Sequence, residues 1–191
     1  MIPNYIGMNK QFKREPLTEE ESHKLIDACK DLKDKLIVIG LLDTGLRVSE
    51  FCAINKKNII WQDKELRVYG KGGPFGKESK YRTVPFTERF KSLLQSWFGV
   101  HDEMSWKKPR GVQKRLKTIA KRTDIMRIVT PHVLRHTFSV LFHKKTGDLR
   151  ALQLILGHDS ISTTQIYLNY STADIKDVYN KFEGVGGEND N

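Results

Sequence analysis

Three short segments rich in β-branched and aromatic residues, each bounded by turn-like residues, fall within Asn58–Pro85, and both flanks carry apolar residues at helical spacing. A chain patterned in this way has room for one small local sheet and must otherwise be helical. Within the stretch, Asn58–Trp61, Glu65–Tyr69 and Tyr81–Pro85 read as strands. Turn-forming Gln62-Asp63-Lys64 separates the first two, and the glycine-rich Gly70–Lys80 separates the second pair. Short connections of this kind favour antiparallel pairing. The expected fold class is α+β, mainly α, with a small three-stranded antiparallel sheet.

Ahead of the sheet, Thr18 followed by Glu21 is a capping-box pattern, opening a helix expected to run to about Leu32. A second, apolar helix covers Lys35–Leu42 and ends near Thr44-Gly45, where glycine can take the left-handed conformation. A short helix resumes at Arg47 and runs to about Ile54. Beyond the sheet, helices are expected at Thr87–Phe98, Val112–Arg122, Pro131–Thr146, Leu149–Leu156, Thr163–Leu168 and Ala173–Phe182. In the last of these, Ile175, Val178, Tyr179 and Phe182 form one apolar stripe, which packs either on its own domain or on a neighbour. The 191 residues suit one compact domain, expected over residues 17–182. An N-terminal extension, residues 1–16, would precede it, and an acidic, glycine-rich tail, residues 183–191, is expected to be disordered.

The net charge of +10 favours a polyanionic partner. Basic residues gather at Lys71–Arg82 and Lys107–Arg127 rather than spreading evenly. No apolar run reaches the roughly 20 residues that a membrane-spanning helix needs, and Met1–Lys10 has no signal-peptide core. Cys29 and Cys52 belong to no C-x-x-C pair, which gives no support to structural zinc, and they read as two thiols of a reducing cytoplasm. The sequence thus points to a cytoplasmic protein that takes no cofactor, metal or small-molecule substrate.

Reactive side chains are concentrated in Thr130–Tyr167. Pro131 fixes a helix start, and His132, Arg135 and Ser139 then share one face at i, i+3 and i+7. Leu134, Phe138 and Leu141 form an apolar stripe on the opposite side. A histidine and an arginine at a helix N-terminus suit an anion, because the amides and the helix dipole point the same way. Downstream, Gly157 is placed to cap the preceding helix and release His158 from it, and Tyr167 follows nine residues later.

Taken in order, five segments resemble the tyrosine recombinases, and within them the Xer and phage-integrase branch. They are Thr44-Gly45-Leu46-Arg47-Val48-Ser49-Glu50, Gly70-Lys71-Gly72, Pro131-His132-Val133-Leu134-Arg135-His136-Thr137-Phe138, Leu156-Gly157-His158 and Thr163-Thr164-Gln165-Ile166-Tyr167. The similarity runs from about Leu17 to Phe182. It implies a metal-independent site-specific recombinase that cleaves and rejoins DNA strands through a covalent 3′-phosphotyrosyl intermediate. Arg47 and Arg135 would clamp the scissile phosphate, since a planar guanidinium suits phosphate and keeps its charge. His132 and His158 would donate hydrogen bonds to it, Tyr167 would be the nucleophile, and Lys71 would protonate the leaving 5′ oxygen. Glu50 would orient a neighbour, and His136 would be structural. Lys77 and Lys80 remain alternatives to Lys71, and Tyr170 an alternative to Tyr167.

The resemblance also implies double-stranded DNA as partner, with a monomer in solution assembling as a homotetramer on two duplexes. Relatives usually carry a further N-terminal helical domain, for which Met1–Leu17 is too short, so the chain would be either a catalytic fragment or a minimal enzyme. Two other readings stay open: a type IB topoisomerase-like nicking and closing enzyme, and a non-catalytic DNA-binding module. A metallohydrolase built on His132 and His136 lacks the intervening glutamate such sites use.

Overall fold

The computed structural model describes residues 15–69, 81–157, 172–182 and 184. Helices α1 (Glu19–Asp27), α2 (Leu32–Thr44) and α3 (Val48–Cys52) precede a short 3-10 turn and strands β1 (Ile59–Ile60), β2 (Glu65–Tyr69) and β3 (Tyr81–Pro85). Helices α4 (Glu88–Phe98), α5 (Pro109–Ala120), α6 (Pro131–Thr146), α7 (Leu149–Leu156) and α8 (Thr172–Asn180) follow. The fold is mainly helical with one small sheet, as expected. The helix read over Thr163–Leu168 lies outside the described residues, as does Gly70–Lys80.

Local chemistry accounts for most boundaries. The Thr18 hydroxyl accepts from the Glu21 amide at 3.1 Å while the Glu21 carboxylate accepts from the Thr18 amide at 2.8 Å, closing the capping box. α1 then stops at Asp27 rather than near Leu32. The reason is Asp31, which caps α2 by accepting from the Asp34 amide at 2.8 Å. A cap residue is extended, here at φ −142°, so the two helices cannot run through it as one. α5 begins three residues earlier than its apolar pattern suggests because Pro109 opens it.

Beyond a first turn that exposes Lys33 and Lys35, α2 is buried without a break from Leu36 to Thr44. A helix without a wet face belongs at the centre of a core, and α1, α4, α5 and α6 all pack against it. The sheet has order β1-β2-β3 and is antiparallel, with Leu66 opposite Val84 and Val68 opposite Arg82. Side chains alternate along a strand, so Arg82 shares the inward face of β3 with the fully buried Val84. That places one arginine on the side of the sheet that meets the core.

On α6, Leu134, Phe138 and Leu141 are buried, as the stripe predicted, while His132 and His136 are exposed. The stripe of α8 packs on its own domain. Tyr179 and Phe182 are buried, and Ile175 and Val178 lie against the same core. Phe182 meets Phe138 and Phe142, both at 5.3 Å between ring centroids. Among the described residues no helix is long and apolar enough to cross a membrane.

Candidate active site

Gly45 ends α2 at φ 61°, left-handed, and its amide donates to the Leu41 carbonyl at 3.2 Å. A β-carbon there would stand 2.3 Å from Cδ1 of Phe138, so glycine is required twice over. The turn it makes delivers Arg47 to the N-cap of α3. The Arg47 amide donates to the Glu50 carboxylate at 2.8 Å, and its guanidinium pairs with the same carboxylate at 3.0 Å. Arg47 keeps 45% of its side chain in solvent, whereas Glu50 keeps 7%.

Arg135 reaches the same place from α6, and 11% of its side chain is exposed. It donates to the carbonyl of Gly45 at 2.6 Å and to that of Leu156 at 2.8 Å. Nη1 of Arg135 also stands 3.9 Å from Glu50. His132 sits one turn earlier on this face, at the positive end of the helix dipole. The structure therefore brings Arg47, Glu50 and Arg135 together from segments separated by nearly ninety residues of sequence. His136 is exposed on α6.

A third arginine completes the cluster, and nothing in the sequence marked it beyond its place in a strand. Arg82 grips Glu50 with two parallel bonds, Nη1 to Oε1 and Nη2 to Oε2, each 3.0 Å. Its Nε donates to the Ile155 carbonyl at 2.8 Å. The available signal was parity alone, since Arg82 alternates with buried Val84 and so had to turn inward and find an acid.

The end of α7 supplies the acceptors. Its last carbonyls form a row in which Ile155 accepts from Arg82, Leu156 from Arg135, and Gly157 from Arg47 at 3.3 Å. Carbonyls at a helix C-terminus lack partners within the helix and carry its negative pole, so cations satisfy them well. Gly157 is left-handed at φ 63° and does end α7, as expected.

Electrostatics make this a receptor for an anion. Burial pushes the Glu50 carboxyl up, but the Arg82 pair, with Arg47, more than offsets this and holds it below the usual carboxylate range. Burial, aided by the neighbouring cations of Arg47 and Arg82 and opposed by Glu50, pushes Arg135 down to about 10. It remains charged at neutral pH, as arginines do in proteins. Three guanidiniums around one carboxylate leave the pocket cationic, and a phosphate group would relieve that strain. Among the described residues no three His, Cys, Asp or Glu side chains gather where they could hold a metal ion. Lys71, His158 and Tyr167 lie outside the described residues, as do Lys77, Lys80 and Tyr170.

Comparison with known proteins agrees with this geometry. Residues 15–173 match the phage integrase family. Tyrosine recombinase XerA of Saccharolobus solfataricus is 36% identical over 168 residues, covering 86% of this chain and 55% of the relative. Tyrosine recombinase XerC of Histophilus somni is 32% identical over 188 residues, covering 92% of this chain and 60% of the relative. The chain thus spans little more than half the length of these curated relatives. A crystal structure of XerA recombinase superposes with a TM-score of 0.67 at 28% identity, covering 95% of this chain and 65% of that one. With the arginine pocket, the order of motifs and the fold in agreement, this chain belongs to the phage integrase family, that of the Xer tyrosine recombinases.

Proposed function

We propose that this chain cleaves and rejoins DNA strands as a site-specific tyrosine recombinase. The observation that carries the reading is the pocket in which Arg47 and Arg135 converge, one half open to solvent and the other braced by carbonyls. Permanently charged, planar donors held this way suit the nonbridging oxygens of a phosphodiester as negative charge builds on them. His132, at the start of α6, would add a hydrogen bond to the same phosphate.

In the proposed step the Tyr167 oxygen attacks phosphorus in line, the bond to the 5′ oxygen breaks, and a 3′-phosphotyrosyl bond forms. The phenol proton passes to His132, and Lys71 supplies a proton to the leaving 5′ oxygen. His158 donates to the phosphate, and Glu50 orients the arginines. Reversal with a 5′ hydroxyl from another strand rejoins the DNA, so the step conserves bond energy and needs no external energy source. The roles of Lys71, His158 and Tyr167 rest on the motif resemblance.

Double-stranded DNA is the proposed partner, with a homotetramer on two duplexes built from a monomer in solution and a cytoplasmic setting. Charge placement supports it. Arg110, Lys114, Lys117 and Lys121 are exposed at i, i+4, i+7 and i+11, forming a cationic stripe along α5 and its C-cap. Such a stripe suits a phosphate backbone.

The experiment is incubation with supercoiled plasmid at low salt without added metal, scored for relaxation and for SDS-stable protein–DNA adducts. Wild type should give both, and Tyr167→Phe neither. Adducts that persist in Tyr167→Phe would assign the nucleophile elsewhere, and metal-dependent cleavage in both proteins would overturn the reading.

A further inference from the structure

We propose that Arg82 is a positioning residue of this site: by holding both oxygens of Glu50, it limits that carboxylate's hold on Arg47 to the bonds already made and keeps it from closing on Arg135, and so keeps the arginine pair available to phosphate. The proposal rests on the phosphate-binding reading above and assigns a role to a side chain outside the arginine pair.

The geometry begins with Glu50. Its two oxygens face three guanidiniums and one amide, with Arg82 on both oxygens at 3.0 Å. Arg47 reaches Oε1 at 3.0 Å through its side chain and Oε2 at 2.8 Å through its amide. Arg135 stops at 3.9 Å, a distance that is an ion pair but no hydrogen bond. A buried carboxylate seeks the fullest set of donors it can find. Without Arg82, the donors left within reach are the ones that the phosphate needs. Glu50 would then act as a resident competitor, an anion already seated in the anion site.

Arg82 cannot itself serve as a ligand in the way Arg47 can. Each of its three nitrogens already has an acceptor, and only 17% of its side chain is exposed. Its guanidinium lies against Gly157, where an added β-carbon would come within 3.0 Å of Cδ, Nε and Cζ. The absence of a side chain at Gly157 is therefore what lets Arg82 reach Ile155 and Glu50 together. This ties strand β3, helix α3 and the terminus of α7 into one unit around the pocket.

A purely structural role and the proposed one differ in what Glu50→Gln does on top of an Arg82 substitution. If Arg82 merely supports the fold, removing a second partner of the same cluster adds damage. If Arg82 restrains a competing charge, removing that charge restores function. The comparison uses wild type, Arg82→Met, Glu50→Gln and the double variant, with the rate of covalent adduct formation measured in single turnover at saturating DNA. Arg82→Met is expected to slow the rate on the order of 10-fold to 100-fold, and the double variant should be faster than Arg82→Met alone. A double variant slower than both single ones, or an Arg82→Met rate within about twofold of wild type, overturns the proposal.

A second readout is independent of DNA chemistry. Guanidinium NMR signals of Arg47 and Arg135 should move in Arg82→Met and return toward wild-type positions when Glu50→Gln is added. Unmoved signals overturn the proposal even where adducts form. A wild type that forms no adducts overturns the recombinase reading, and the NMR comparison still decides the role of Arg82. Should Arg82→Met fail to fold, Arg82→Lys, which keeps the charge but not the paired bonds, carries the same comparisons.

Discussion

The phenol hydroxyl of Tyr179 donates to the main-chain carbonyl of Asp43, joining the C-terminal helix α8 to the last turn of α2. That carbonyl belongs to a helix end, where the chain offers no amide of its own. The Asp43 side chain is also buried and accepts from Thr87 at 2.6 Å and from Arg89. Burial, with the Asp43 charge beside it, pushes the Tyr179 phenol well above its ordinary range, so it stays a neutral donor. Two residues further on, Gly45 offers its carbonyl to Arg135. The C-terminal helix therefore braces the turn on which the arginine pocket is built.

Tyr179→Phe should lower stability by about 1–2 kcal/mol, the cost of leaving a buried carbonyl without its donor. Phe182→Ala, which empties a fully buried site between Phe138 and Phe142, should cost about 3–5 kcal/mol. Urea unfolding of the two variants measures both, and equal losses would mean that the hydroxyl contributes far more than one bond.

Three left-handed glycines should respond to alanine in a fixed order. At Gly147, φ is 69° and nothing lies within 4 Å of an added β-carbon, so only backbone strain of about 1 kcal/mol applies. Gly157→Ala adds a push against the flexible Arg82 side chain at 3.0 Å. Gly45→Ala drives a methyl to 2.3 Å from a ring buried in the core and should be the most damaging. Thermal midpoints of the three variants test the order, and Gly147→Ala as the worst of them would contradict it.

Acid should weaken the protein through Glu50 and Asp34. Burial raises the Asp34 carboxyl, but Arg115 and Arg122 outweigh it and hold it below its usual 3.8, as Arg82 does for Glu50 against 4.5. A carboxylate depressed in the folded state contributes stability above its unfolded value and loses it as pH falls through the folded one. Stability should therefore hold from neutral pH to about 4.5 and decline below that. Asp34→Asn should start lower and show a shallower acid decline in unfolding measured against pH. A decline as steep as that of wild type would remove Asp34 from the explanation.

DNA affinity should fall with added salt, and the exposed stripe of α5 should carry part of the slope. Lys114→Ala with Lys117→Ala should reduce the slope of log affinity against log salt by about 2, at roughly 0.9 per lost phosphate contact. A slope that matches wild type in a fluorescence anisotropy titration would place the duplex on another face.

Much of the architecture was legible because its signals are short-range. Thr18 and Glu21, Pro131, and Gly45 and Gly157 each act within one helical turn. Strand limits Glu65–Tyr69 and Tyr81–Pro85 agree with the structure, because turn-forming Gln62-Asp63-Lys64 and the glycine-rich Gly70–Lys80 separate the strands. The first helix was drawn too long because Asp31 looks like any polar residue until its backbone turns extended to cap α2. Arg47, Glu50 and Arg135 were legible through motif order, a pattern no single window contains.

By itself, the sequence determined most of the elements among the described residues, the helical face shared by His132 and Arg135, and the family. Tertiary structure alone decided that Arg82 joins Glu50 across 32 residues and Ile155 across 73. It also decided that the stripe of α8 turns inward onto Phe138 and Phe142. Capping, turn geometry and periodicity are set by neighbours along the chain. A buried charge or an apolar stripe records only that a partner is needed, and the partner is chosen by how the elements pack.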